Sequence, residues 1–180
     1  MKVFRLLSAL LDYPTDGFLA ELREAAGKDV AGFVSGLDNG GVLDEQETAA
    51  VADFVRWLLV ADPFDLQSAY VQNFDLTAEH SLHLTHHLFG EEKSRGPALI
   101  DLGEFYRSYG LEADEKELPD YLPVMLEFVS TLGLDEARVF LADVAKVLKV
   151  LADNLEKSGC DYAPLVRIIE KQGSLARLAA

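Results

Sequence analysis

The sequence predicts an all-α fold, a single-domain multi-helix bundle over residues 1–180. Three observations lead there. Apolar residues recur at helical spacing along nearly the whole chain, and no alternating strand pattern of useful length interrupts them. At 180 residues, with 49% hydrophobic and 26% charged residues, the chain can bury one core without disulfide or metal staples.

In chain order, Phe4, Leu7 and Leu11 share a face of a first helix, which Pro14 ends because the residue before a proline is pushed out of the α region. A second helix begins at Thr15 or Asp16 and carries Phe18, Leu19 and Leu22. Gly27 to Gly41 is glycine-rich, with Asp38-Asn39-Gly40-Gly41 a loop. Asp44 and Glu47 have the form of a capping box ahead of the stripe Val51, Phe54, Val55, Leu58 and Leu59. Pro63 reads as a first-turn proline that opens a helix through Leu66, Tyr70 and Phe74, broken at Asp75-Leu76-Thr77.

A histidine-bearing helix holding His80, His83, His86 and His87 then runs to Phe89. After the charged connection Glu91 to Arg95, a helix with Pro97 in its first turn sets Leu99, Leu102, Tyr106 and Tyr109 on one face and stops at Gly110. The weakest linker candidate is Glu112 to Pro119. Leu122, Met125, Leu126 and Val129 mark the next helix. Phe140, Val144, Val147, Leu148, Leu151 and Leu155 mark a long one that ends near Gly159. Pro164, Leu165, Ile168 and Ile169 make a last short helix, and the tail after Gly173 is expected to fray. The expectation is eight or so helices.

Charge and cysteine use narrow the function classes. Sixteen basic against 31 acidic residues give a net charge of -15, which repels phosphate backbones, so nucleic acid is not an expected partner. The same acidity serves either solubility or attraction of a basic partner surface. Cys160 is the only cysteine, which excludes an intramolecular disulfide and thiolate-rich metal or iron-sulfur sites. The N-terminal run lacks the form of a cleaved leader, and no stretch approaches the roughly 20 apolar residues of a membrane span, so a cytoplasmic protein without an integral membrane segment is expected.

Candidate reaction chemistry is thin. His83 and His87 stand at i,i+4, the spacing that lets two imidazoles on a helix face one metal ion. The zinc-protease pattern needs Glu directly after the first His, where Leu84 stands, and a third ligand would have to come from elsewhere, such as Glu79 or Glu91. A metal-dependent helical enzyme using His83 and His87 is one competing expectation; solvated or hydrogen-bonded histidines with no bound metal are the other. Cys160 has no adjacent histidine, and the glycines form neither a phosphate loop nor a dinucleotide fingerprint, so no catalytic residue is nominated.

A set of ordered motifs does stand out. Tyr70-Val71-Gln72-Asn73-Phe74-Asp75 is followed by Ser81-Leu82-His83-Leu84, then by His87-Leu88-Phe89-Gly90 and Arg95-Gly96-Pro97-Ala98-Leu99-Ile100-Asp101-Leu102. Glu117-Leu118-Pro119-Asp120-Tyr121-Leu122-Pro123 runs into Leu126-Glu127-Phe128, and Leu10-Leu11-Asp12-Tyr13-Pro14 stands near the N-terminus. In this combination the chain resembles the NarJ branch of the TorD-like chaperones for molybdenum-cofactor enzymes. The likeness runs to about Phe128 and weakens beyond it. Two positions depart from the pattern: Tyr121 stands where related chaperones often have His, and Leu99 replaces a frequent Met.

The resemblance implies a TorD/NarJ-like helical fold and a non-catalytic, cytoplasmic chaperone. Its partner would be the apo catalytic subunit of a nitrate reductase-like molybdoenzyme, bound through that subunit's N-terminal peptide, and cofactor-delivery proteins are further candidate partners. The client, not the chaperone, would receive the molybdopterin cofactor, and no cofactor would be bound permanently. A client of the dimethyl sulfoxide reductase type is the alternative within the same family. A helix-in-groove mode would offer an apolar trough with an acidic rim. The residues nominated for it are Tyr70, Phe74, Asp75, His83, His87, Arg95, Asp101, Tyr106, Pro119, Asp120, Tyr121, Met125 and Glu127. For the aromatics a core role competes with client contact. Asp120 is equally a cap for the helix that follows it, and Arg95 and Asp101 are expected to pair. The histidine cluster suggests that client affinity varies with pH.

Overall fold

Caps written in adjacent residues start four of the helices. The computed structural model describes residues 1–90, 93–111 and 117–178. Among these residues there are ten α-helices: α1 (Lys2–Leu11), α2 (Asp16–Ala26), α3 (Val30–Leu37), α4 (Glu45–Val60), α5 (Pro63–Tyr70), α6 (Leu84–Phe89), α7 (Arg95–Ser108), α8 (Leu122–Thr131), α9 (Leu134–Ser158) and α10 (Ala163–Leu178). The all-α expectation holds. The extended backbone that pairs, among the described residues, is one isolated antiparallel bridge between His83 and Tyr121.

The Thr15 hydroxyl accepts from Phe18 N to cap α2, and Asp62 accepts from Phe64 N ahead of Pro63 in α5. The capping box of α4 is complete: Asp44 Oδ1 accepts from Glu47 N at 2.9 Å, and Glu47 Oε2 accepts from Asp44 N at 2.8 Å. α9 ends on Gly159, whose φ of 71° is the left-handed conformation that a side chain disfavours.

Three expectations need correction, and two segments, the glycine-rich stretch and the end of α5, hold more than was expected. The glycine-rich stretch contains α3, because Asp29 accepts from Gly32 N at 2.9 Å and caps a turn whose Val30 and Val34 reach the core. α5 does not simply stop. It widens into a π turn, Val71–Asp75, with Leu76 N donating to Val71 O at 3.0 Å, and this keeps Tyr70 and Phe74 both facing inward.

The four histidines do not share a helix. His80 closes a 3-10 turn, Ala78–His80, and His83 is the N-cap of α6, so only His86 and His87 are helical. The reason is local competition: the Ser81 hydroxyl accepts from His83 N, while Leu84 N and Leu122 N bond Asp120 O and Leu82 O across the bridge. The face foreseen for α7 is only partly real. Tyr106 is buried, Leu99 and Leu102 are half-buried, and Tyr109 is 45% exposed with its hydroxyl donating to Glu136. Finally, α10 is not short. It continues past Gly173, where the missing side chain lets the helix sit against the Leu141 carbonyl of α9. Most of the suggested linker, residues 112–116, lies outside the described residues.

Burial joins these helices into one apolar cluster. α9 packs along α10, and α1 packs on α8, where the Ser8 hydroxyl donates to Pro123 O at 2.7 Å. Tyr162 stands at the centre of an aromatic group, with ring centroids 4.9 Å from Phe54, 5.0 Å from Phe74 and 5.8 Å from Tyr70. A second group, Phe105, Tyr106, Phe128 and Phe140, links α7 to α8 and α9.

Candidate functional site

Two arrangements bring the sequence motifs together, and they meet at Tyr121. The first is a buried charge cluster. The Asp120 side chain is only 1% exposed, and both its oxygens are used. Oδ2 accepts from Thr85 N at 3.1 Å and from the Thr85 hydroxyl, while Oδ1 lies 3.2 Å from His83 Nδ1. A carboxylate only accepts, so Nδ1 carries the proton in that bond. Arg95 completes the cluster, donating from Nε to Thr85 Oγ1 at 3.0 Å and placing Nη2 3.6 Å from Asp120 Oδ2.

Thr85 N is one of the orphan donors in the first turn of α6, so Asp120 does cap a helix. It caps α6, far upstream, rather than α8, which follows it directly. Arg95 is therefore not paired with Asp101, which lies exposed on α7. Burial pushes the Asp120 carboxyl up, but the hydrogen bonds from His83 and Thr85 together outweigh it and hold the group below the usual range.

The second arrangement is an open cleft of about 420 Å³ between α1, α8 and the end of α7. Arg5, Ser8 and Asp12 line one side, Val124, Glu127 and Phe128 the other, and Tyr106, Leu111, Glu117 and Tyr121 close the end. The Tyr121 hydroxyl donates to Asp12 Oδ1 at 3.0 Å and lies 2.8 Å from the Tyr70 hydroxyl, which itself reaches Leu11 O at 3.0 Å. Burial and the surrounding negative charges push the Tyr70 and Tyr121 hydroxyls far above the usual phenol range, so both stay protonated as donors. Tyr106 is fixed by its hydroxyl donating to Pro119 O at 2.9 Å.

Of the nominated residues, Tyr106, Tyr121 and Glu127 line this cleft. His83, Arg95 and Asp120 form the charge cluster beneath it, and the His83 and Tyr121 rings stand 5.1 Å apart. Tyr70, Phe74 and Met125 are core, Pro119 acts through its carbonyl, and Asp75 and Asp101 are exposed. Sequence reasoning passed over Arg5, Ser8 and Val124 as site residues. It quoted Asp12, Glu117 and Phe128 inside motifs without singling them out. The signal for α1 was its amphipathic spacing, which leaves Arg5 and Asp12 off the buried face.

The metal reading finds no support in the geometry. His83 turns to Asp120, whereas His87 Nε2 lies 2.7 Å from Ser81 O, and burial lowers the pKa of His87. No group of three or more His, Cys, Asp or Glu among the described residues is placed to hold a metal ion. The Cys160 thiol is buried, and burial pushes its pKa up, away from thiolate.

A helical bundle with a lined cleft and buried phenol donors has the make-up of a binding protein. The chain belongs to the family described as nitrate reductase delta subunit, which it matches over residues 41–167. It is 33% identical over 171 residues to the nitrate reductase molybdenum cofactor assembly chaperone NarJ of Escherichia coli K12, covering 95% of this chain and 69% of that protein. It is 31% identical over 166 residues to the probable assembly chaperone NarJ of Bacillus subtilis, with 92% and 85% covered. The likeness to the probable assembly chaperone NarW of Escherichia coli K12 is 32% over 175 residues, 97% of this chain and 69% of the relative. The resemblance carried by the motifs is borne out. No helix among the described residues is long and apolar enough to cross a membrane.

Proposed function

We propose that this protein is a cytoplasmic, system-specific chaperone that binds the apo catalytic subunit of a nitrate reductase-like molybdoenzyme. It supports insertion of the molybdenum cofactor into that subunit and assembly of the complex, and catalyses no reaction itself. The observation that carries this reading is the 33% identity to an assembly chaperone over 95% of the chain. The open cleft, with apolar and aromatic walls and a mostly acidic rim, supports it from the side of the molecule.

The client segment is the N-terminal peptide of the catalytic subunit, laid as an amphipathic helix over the cleft with its apolar face toward Leu111, Val124 and Phe128. Its basic residues meet the carboxylates at the rim. The chaperone holds no molybdopterin of its own in this reading, and the whole chain, 1–180, acts as one binding domain.

Co-expression with the catalytic subunit tests the proposal. The apo-subunit should co-purify with this protein, and deletion of its first 20 or so residues should abolish the complex. In a strain lacking the chaperone, the subunit should accumulate without molybdenum. A fully loaded enzyme in that strain would contradict the reading.

A further inference from the structure

Among the described residues, the cleft is lined by three carboxylates, Asp12, Glu117 and Glu127, against the single guanidinium of Arg5. None of the three takes part in an ion pair among the described residues. Asp12 is nonetheless held in place, because its Oδ1 accepts from Tyr13 N at 2.8 Å and from the Tyr121 hydroxyl at 3.0 Å. Those are neutral donors, so the carboxylate is oriented without being neutralised.

Asp12 and Glu117 both line the cleft together with Tyr121, and Asp12 meets the Tyr121 hydroxyl directly. Of the aromatic lining residues, Tyr121 is half-buried, whereas Tyr106 and Phe128 are 2% and 4% exposed. Carboxylates beside an accessible aromatic ring suit a particular cation. A guanidinium is planar, weakly hydrated and always charged; it stacks on rings while its fork of donors bridges carboxylates, whereas an ammonium keeps its water more firmly. The volume of about 420 Å³ is small beside a helix some 10 Å across, so the recess admits a side chain from a helix lying over it.

We propose that the Tyr121 end of the cleft is an anchor for one arginine of the client segment, its guanidinium held between Asp12 and Glu117 against the Tyr121 ring. The inference rests on the client reading above and adds to it the residue class that sets specificity. Glu127 and Arg5, which also line the cleft, fix the direction in which the segment lies.

Double-mutant cycles by calorimetry test it, with the full chain and a synthetic peptide of the first 20 or so residues of the co-encoded catalytic subunit. Asp12→Asn and Glu117→Gln should each weaken binding about tenfold, whereas Glu21→Gln on the far exposed face of α2 should not. One Arg→Gln peptide should lose a similar factor and lose little more when combined with Asp12→Asn, and Arg→Lys at that position should fall between. Glu117 is exposed, so Glu117→Gln decides the matter should Asp12→Asn fail to fold. Tight binding unaltered by both substitutions, losses that add for every peptide arginine, or binding by a segment with no arginine would overturn the anchor and leave the client reading standing. Absence of binding by both peptide and apo-subunit would remove the two together.

Discussion

Asp120 shows what a single residue contributes. It satisfies a backbone donor at the start of α6, the Thr85 hydroxyl, His83 and Arg95 from a position with almost no water. Asp120→Ala leaves Arg95 and the first turn of α6 without their acceptor and should cost about 3–5 kcal/mol, the usual price of breaking a buried charged pair, read as a shift in urea midpoint. Tyr121→Phe removes the bond donated to Asp12 and the contact with the Tyr70 hydroxyl, and should cost about 1 kcal/mol, the usual contribution of one such bond. Acid should act through two groups in the same direction. The lowered pKa of half-buried His87 means that the unfolded chain binds the proton first, so stability falls as pH drops below about 6.5. The depressed Asp120 carboxyl adds a second loss below about pH 4, as pH falls toward its folded pKa. Melting temperature should therefore decline between pH 7.5 and 5.5, and His87→Gln should flatten that decline; equal slopes in both proteins would contradict the assignment. The chain showed that Asp120 was a capping type, but not which helix it capped, because the partner lies 35 positions away and only the His83–Tyr121 bridge brings it close.

At the scale of elements, the glycines separate two kinds of constraint. A Cβ on Gly173 would sit 2.5 Å from Leu141 O, a backbone atom that cannot swing aside, so α9 and α10 must part. Gly173→Ala should destabilise by about 1–3 kcal/mol, as overpacked cores do. Gly103, in the middle of α7, faces nothing within 4 Å, and Gly103→Ala should instead stabilise by about 0.5–1 kcal/mol through helix propensity. Thermal melts of the two variants should move in opposite directions. Helix starts written in adjacent residues were legible, as with Thr15, the Asp44–Glu47 box and Asp62-Pro63. α3 was not, because glycines at 32 and 36 lower helix propensity and its stability comes from packing Val30 and Val34. The histidine segment misled for the opposite reason: its propensity was helical, but pairing with residues 120–122 took its backbone.

For the whole molecule, net charge and cleft act together. A chain of net charge -15 attracts a basic segment from a distance, and the carboxylates that line the cleft give that attraction a destination. Raising salt from about 50 to 500 mM shortens the Debye length several-fold and should slow association with a basic client peptide far more than it speeds dissociation. Composition made the acidity legible and left its purpose open, since solubility explains it equally well. The cleft was legible only in part, because its walls come from segments more than 100 residues apart: Arg5 and Asp12 from α1 and its C-cap, and Val124 to Phe128 from α8. The Ser8–Pro123 bond that joins them links positions with no relation in sequence. The most direct test is calorimetric titration of the full chain with the N-terminal peptide of the co-encoded molybdoenzyme catalytic subunit. One-to-one saturable binding, weakened by Glu117→Gln and by salt, is the predicted result. No binding of that peptide, together with no binding of the intact apo-subunit, would contradict it.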